Sequence, residues 1–198
     1  MNSVAIIVIG YLIGSISFSY ILGKLLRGID IREYDSGNAG ATNTFRTLGI
    51  APGIFVLLCD SLKGAAAVLI ASALSAGEPF WMIIGGICAI IGHNWPIYLK
   101  FKGGKGVATT IGVVATLVFY PALFAGMIAL VVLYFTRYVS LASMVFAILI
   151  PIFVLIFDYS GLYIIVTIVM AVLVCIRHRS NIERLRAGTE RKLGKRSV

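Results

Sequence analysis

Long apolar runs recur along this chain, most of them near the ~20 residues that carry an α-helix across a bilayer. They lie near 3–23, 52–77, 79–99, 121–136, 140–157 and 160–176, with a shorter run at 107–119. Unbroken runs argue against a membrane β-barrel, whose strands alternate apolar and polar residues. Hydrophobic residues are 60% of the 198 and charged residues only 13%, about half the charged share of a soluble domain. The expected fold class is all-α, a polytopic membrane protein forming a single domain over 1–198. The run at 3–23 lacks a basic n-region and a small-residue cleavage site, so it reads as a retained helix rather than a signal peptide. Cys59, Cys88 and Cys175 stand isolated in apolar stretches, which implies burial without a disulfide framework.

Charge placement sets the expected topology. If 107–119 and 121–136 are separate spans joined at Tyr120-Pro121, the chain has seven spans. Lys24, Arg27, Arg32, Arg46, Lys100, Lys102, Lys105, Arg137 and the basic tail from Arg177 then share one side, and Glu78 and Asp158 take the other. One merged span would send Arg137 and the tail outward, against the positive-inside rule. The amino terminus is therefore expected outside and the carboxyl terminus in the cytoplasm. Cytoplasmic motif loops are expected at about 27–51, 98–106 and 137–140, with a tail over 177–198. The helix over 107–119, roughly 20 Å long, is too short to cross alone, so one end must lie at membrane depth beside protein or a cavity.

Polar clusters gather on the expected cytoplasmic side. In SGNAGATNTFR (36–46), small residues let backbone N–H groups approach a ligand. Ser36, Asn38, Thr42 and Asn43 add hydrogen bonds and Arg46 a forked cation; a flexible Gly/Ser/Asn turn explains the composition equally well. GHNWP (92–96) precedes FKGGKGVATT (101–110), where Gly103, Gly104, Lys105 and Gly106 lead into a helix start whose free N–H groups favour an anion, with Thr109 and Thr110 in its first turns. It is not a nucleotide P-loop: Leu99 stands where that pattern needs Gly, and Gly106 where it needs Ser or Thr.

In RYVSLAS (137–143), Ser140 reads as a helix cap and Ser143 as a back-bonding serine. In HRSNIERLRAGTE (178–190), His178 and Asn181 share a helix face. Asp60 and Lys63, three apart within an apolar run, read as a pair bracing the loops. His93 is a candidate base or a hydrogen-bonding histidine; no Asp follows it at the H-x-x-x-x-D spacing. Catalytic metal and cofactor are expected to be absent, because no HExxH, DxD or Cys/His cluster occurs. The net charge of +9 fits membrane orientation and anionic lipid headgroups. Nucleic acid is not an expected partner, since no aromatic platform accompanies the basic residues.

Together, GSISFSYILGKLLRGIDIREYDSGNAGATNTFRTLG, DSLKG, GHNWPIYLKFKGGKGVATTIG and HRSNIERLRAGTE resemble the bacterial acyl-phosphate:glycerol-3-phosphate acyltransferases, the PlsY family. Ala39 stands where relatives often have Pro. The resemblance implies acyl transfer from acyl phosphate to the 1-hydroxyl of glycerol 3-phosphate in bacterial phospholipid synthesis at the inner membrane, with no obligate protein partner. It implies that Ser36 and Arg46 are critical, that the GGKG glycines bind glycerol 3-phosphate, that His178 and Asn181 serve activity, and that Glu190 is mainly structural. The residues themselves add Lys105 as a phosphate-neutralising cation. They also leave a rival reading, an organic-phosphate transporter built around a half-length helix.

Overall fold

The computed structural model describes residues 3–194, and every regular element among them is helical. In order these are α1 (Ser3–Ser15), α2 (Phe18–Arg27), α3 (Ala41–Leu48), α4 (Ile50–Ser75), α5 (Pro79–Asn94), α6 (Val107–Leu117), α7 (Phe119–Thr136), α8 (Val139–Ile156), α9 (Gly161–Arg177) and α10 (Arg179–Arg186), with short 3-10 turns at Ile31–Glu33 and Ile97–Leu99. Five segments are long and apolar enough to cross a membrane: Ser3–Arg27, Ile50–Ser75, Pro79–Leu99, Phe119–Thr136 and Val139–Ile156. The pair α9 and α10, bent by 60°, makes a sixth candidate, and α6 is a shorter apolar helix. At 11 residues α6 is only about 16 Å long.

The chain divides into two compact units between Leu117 and Val118. In the first, small residues bring backbones together, as expected of helices packed without a hydrophobic drive in lipid. A Cβ on Gly10 of α1 would meet the Gly85 carbonyl of α5 at 2.8 Å, and Gly14 sits still more tightly on the Ala89 backbone. Gly64 of α4 rests on the Thr109 carbonyl of α6, and Gly112 of α6 on the Ser61 carbonyl of α4. Large side chains point outward instead: Leu62 is 66% exposed, whereas Asp60 and Lys63 on the same helix are buried. In the second unit, Tyr120 and Phe124 of α7 pack against Phe153 and Phe157 at the end of α8. Pro151 falls inside α8, where its missing N–H removes one helical hydrogen bond.

Three expectations need correcting. The first span is not one helix over 3–23. It breaks at Ile16 and Ser17 and continues to Arg27, with Ser17 capping α2 by accepting from the Tyr20 N–H at 3.4 Å. The expected boundary at Tyr120-Pro121 lies instead at Val118: Pro121 sits in the first turn of α7, where a missing N–H costs nothing. The expected loop 27–51 contains the helix α3, and the expected tail contains α10; residues 195–198 of that tail lie outside the described residues.

Candidate functional site

The glycine loop rests on the end of α5. Gly104 donates its N–H to the His93 carbonyl at 3.0 Å. A Cβ on Gly104 would fall on His93 Nε2, and one on Gly103 would fall on the His93 carbonyl and Pro96. These glycines are thus required by close approach. Gly106 is required by conformation, with φ +79°, and its carbonyl accepts from the Thr110 N–H at 2.7 Å, which starts α6. Lys105 is half-buried immediately before that start. The first N–H groups of α6 have no intrahelical acceptor, and the positive end of the helix lies beside Lys105.

Polar atoms without a hydrogen-bond partner collect around this start. The hydroxyls of Thr109 and Thr110 and both amide atoms of Asn94 are buried in this state, and Asn94 Oδ1 lies 2.8 Å from where a Gly106 Cβ would stand. Buried polar groups are normally paired, so this concentration marks a place fit for a polar ligand. Asn94 was missed in the sequence. Its position beside His93 in GHNWP was the available signal.

Beneath the loop lies a charged cluster. Lys63 Nζ is 2.7 Å from Asp60 Oδ1, 2.6 Å from the Ile16 carbonyl and 3.0 Å from His93 Nδ1. The expected Asp60–Lys63 pair is therefore present. Its ammonium also holds a carbonyl that the break between α1 and α2 releases from the helical ladder.

The first motif splits into a loop and a helix. Ser36 is exposed on the loop, Asn38 is half-buried, and Thr42 lies in the first turn of α3. Asn43 is buried, with Nδ2 donating to the Ile31 carbonyl at 2.8 Å, so that part of its side chain braces the loop. Arg46 Nη1 donates to Asp35 Oδ2 at 3.1 Å, and the Asp35 carboxylate is almost wholly buried. Asp35 was not singled out in the sequence; an acid preceding Ser-Gly in a basic motif was the signal. Arg32 chelates Asp30 and donates to the Leu99 carbonyl at 2.9 Å, tying this loop to the turn ahead of the glycine loop. The Arg32 guanidinium holds the Asp30 carboxyl below the usual carboxylate range.

In the second unit His178 sits at the bend between α9 and α10, buried, with Nδ1 donating to the Val174 carbonyl at 2.8 Å. Asn181, one turn on, donates from Nδ2 to Glu190 Oε1 at 2.6 Å. Ser140 donates to the same oxygen at 2.6 Å, and Arg184 Nε to Oε2 at 2.7 Å. Ser140 therefore does not cap α8: Tyr138 holds the cap position, and the serine hydroxyl is committed to Glu190. Ser143 does back-bond, to the Val139 carbonyl at 2.8 Å.

Burial pushes the Glu190 carboxyl up, but the Ser140, Asn181 and Arg184 donors outweigh it and hold the group below its ordinary 4.5. A depressed native value stabilises the fold above the unfolded value, and that contribution disappears as pH falls through the native one. Stability should therefore decline as pH drops below about 4.5, through this latch. The check is acid titration of unfolding in detergent, in which Glu190→Gln should flatten the decline; an unchanged slope refutes it.

A protein-family model described as glycerol-3-phosphate acyltransferase matches residues 4–188, a range that includes both units. A glycerol-3-phosphate acyltransferase of Shouchella clausii is 56% identical, over 99% of this chain and 98% of its own. Another, from Halalkalibacterium halodurans, is 53% identical over 96% of each. Among solved structures, the integral membrane glycerol 3-phosphate acyltransferase PlsY in its glycerol 3-phosphate form is 38% identical. It superposes with a TM-score of 0.92 over 98% of this chain and 96% of its own. The same protein in its lysophosphatidic acid form gives 0.89. By family match, identity and fold together, this chain belongs to the glycerol-3-phosphate acyltransferases and is a multi-pass membrane acyltransferase.

Proposed function

We infer that the protein moves a fatty acyl group from acyl phosphate to the 1-hydroxyl of glycerol 3-phosphate, releasing 1-acylglycerol 3-phosphate (lysophosphatidate) and phosphate in bacterial phospholipid synthesis. The observation that carries this reading is the glycine loop. A cation, a helix start and orphaned buried polar groups converge there, in a chain whose relatives include a protein solved in glycerol 3-phosphate and lysophosphatidic acid forms. Both proposed substrates carry phosphate, and such a helix start favours anions.

The proposed topology has seven spans in the bacterial inner membrane, one domain over 1–198, the amino terminus outside and the site facing the cytoplasm. The one-sided distribution of Lys and Arg supports it. Ser36, Arg46, Lys105, His178 and Asn181 are the proposed catalytic residues. Asn38, Thr42, Asn43, His93, Gly103, Gly104, Gly106, Thr109 and Ser143 are the proposed substrate-binding set.

Acyl phosphate is already activated, so positioning and electrostatics suffice without a covalent acyl-enzyme. The glycerol oxygen forms a bond to the acyl carbon and the carbon–oxygen bond to phosphate breaks. The departing phosphate takes both the electron pair and the hydroxyl proton. Arg46 and Lys105 neutralise the charge growing on it. Purified protein should release phosphate from acyl phosphate only when glycerol 3-phosphate is added. Uptake of an organic phosphate into sealed vesicles without such turnover would establish a transporter instead. Lys105→Ala should raise the KM for glycerol 3-phosphate at least ~10-fold, the worth of a hydrogen bond to a charged group; an unchanged KM would show the loop misassigned.

A further inference from the structure

We propose that Lys63 is a positioning residue that locks His93 as the neutral tautomer protonated at Nε2, which makes His93 a hydrogen-bond donor toward the glycine loop and excludes it as a base. This rests on the acyltransferase reading above only for its kinetic consequence. An ammonium has three protons and no acceptor. Around Lys63 stand three acceptors, Asp60 Oδ1 at 2.7 Å, the Ile16 carbonyl at 2.6 Å and His93 Nδ1 at 3.0 Å. The Phe18 ring covers a further side, 5.8 Å from Nζ. Two of these contacts are hydrogen bonds, to the Ile16 carbonyl and His93 Nδ1, while Asp60 Oδ1 is held as an ion-pair contact.

A proton on His93 Nδ1 would face the ammonium at 3.0 Å, donor against donor. Asp60 Oδ1, at 3.6 Å, is too far to receive it well. Nδ1 must therefore accept, and the ring proton resides on Nε2. That nitrogen faces Gly104, where a Cβ would also meet the Ala39 carbonyl at 2.8 Å. His93 thereby turns a donor toward the loop, the polarity an anion requires.

His178 is held the other way. Its Nδ1 donates to the Val174 carbonyl at 2.8 Å, so in its neutral form Nε2 is the acceptor. The chain has only these two histidines, and they are opposite tautomers by construction.

The test is a nitrogen-15 magnetic resonance spectrum of the full-length protein, labelled at histidine in phospholipid bilayers near neutral pH and without substrate. One ring should carry its proton on Nε2 and the other on Nδ1, with His93→Gln removing the first pattern. A His93 ring protonated at Nδ1, or at both nitrogens, overturns the proposal whatever the enzyme does.

The second arm is kinetic. Asp60→Leu with Lys63→Met removes the lock without leaving a lone buried charge, and both tautomers of His93 should then appear. His93→Gln should lower kcat/KM for glycerol 3-phosphate about 10- to 100-fold, mainly through KM. Adding it to the unlocked pair should cost no more than about twofold further, since residues acting through one another are not additive. Full additivity overturns the positioning role. Protein that shows the expected tautomers but never acylates glycerol 3-phosphate keeps the lock and refutes the function.

Discussion

Gly104→Ala lowers kcat/KM by about 100-fold or more while the protein still inserts and folds, because a displacement near 1 Å at a reacting centre is worth that much. The added methyl would fall on His93 Nε2, with Cδ2 of the same ring at 2.9 Å and the Ala39 carbonyl at 2.8 Å. Neither neighbour can yield cheaply. The imidazole is held from behind by Lys63, and Ala39 is backbone in a loop tied down by Asp30, Arg32 and Leu99. The glycine loop must lift instead, and the Gly104–His93 main-chain bond breaks. Lys105 and the start of α6 lift with it. Thermal unfolding should change far less than activity, since the helices themselves stay packed. Activity within threefold of the parent would show that the loop does not hold substrate.

Asp60→Ala should destabilise the fold by about 3–5 kcal/mol, the usual consequence of removing one partner from a buried ion pair. Both side chains are almost fully buried, so the Lys63 ammonium would keep two neutral acceptors and no counter-charge. Replacing both, Asp60→Leu with Lys63→Met, should recover part of the loss, because apolar replacement of a whole buried pair is often close to neutral, while the Ile16 carbonyl that Lys63 held is left unpaired. Unfolding by sodium dodecyl sulfate titration from mixed micelles measures both. If the double variant is as unstable as the single one, the pair contributes through shape rather than charge.

Most of the helices were legible because a membrane leaves few alternatives: an apolar run must hydrogen-bond its own backbone. The Asp60–Lys63 pair was legible because helical spacing puts residues three apart together. What the sequence concealed was partnership over distance. His93 lies 30 residues from Lys63, and Glu190 lies 50 from Ser140; no local pattern links either pair. A Ser at a helix start reads as a cap until a distant carboxylate claims it. The helix α3 was hidden by composition, since Ala-Thr-Asn-Thr after a Gly-rich stretch looks like more loop. Its N-terminal residue Gly40 caps without a side chain. The break at Ile16 and Ser17 left no Pro and no charge to announce it. Pro121 announced a boundary and marked it slightly late, because proline is comfortable just inside a helix start as well as at its end.

The interrupted first span also bears on how the chain is made. An unpaired carbonyl at membrane depth is expensive, and the group that satisfies Ile16 is synthesised 47 residues later. While the ribosome is still extending the second span, the first has no Lys63 with which to pair that carbonyl. The carbonyl at the break is paired as observed only when Lys63 lies beside it. Satisfying the break in the first segment therefore depends on a residue of the second.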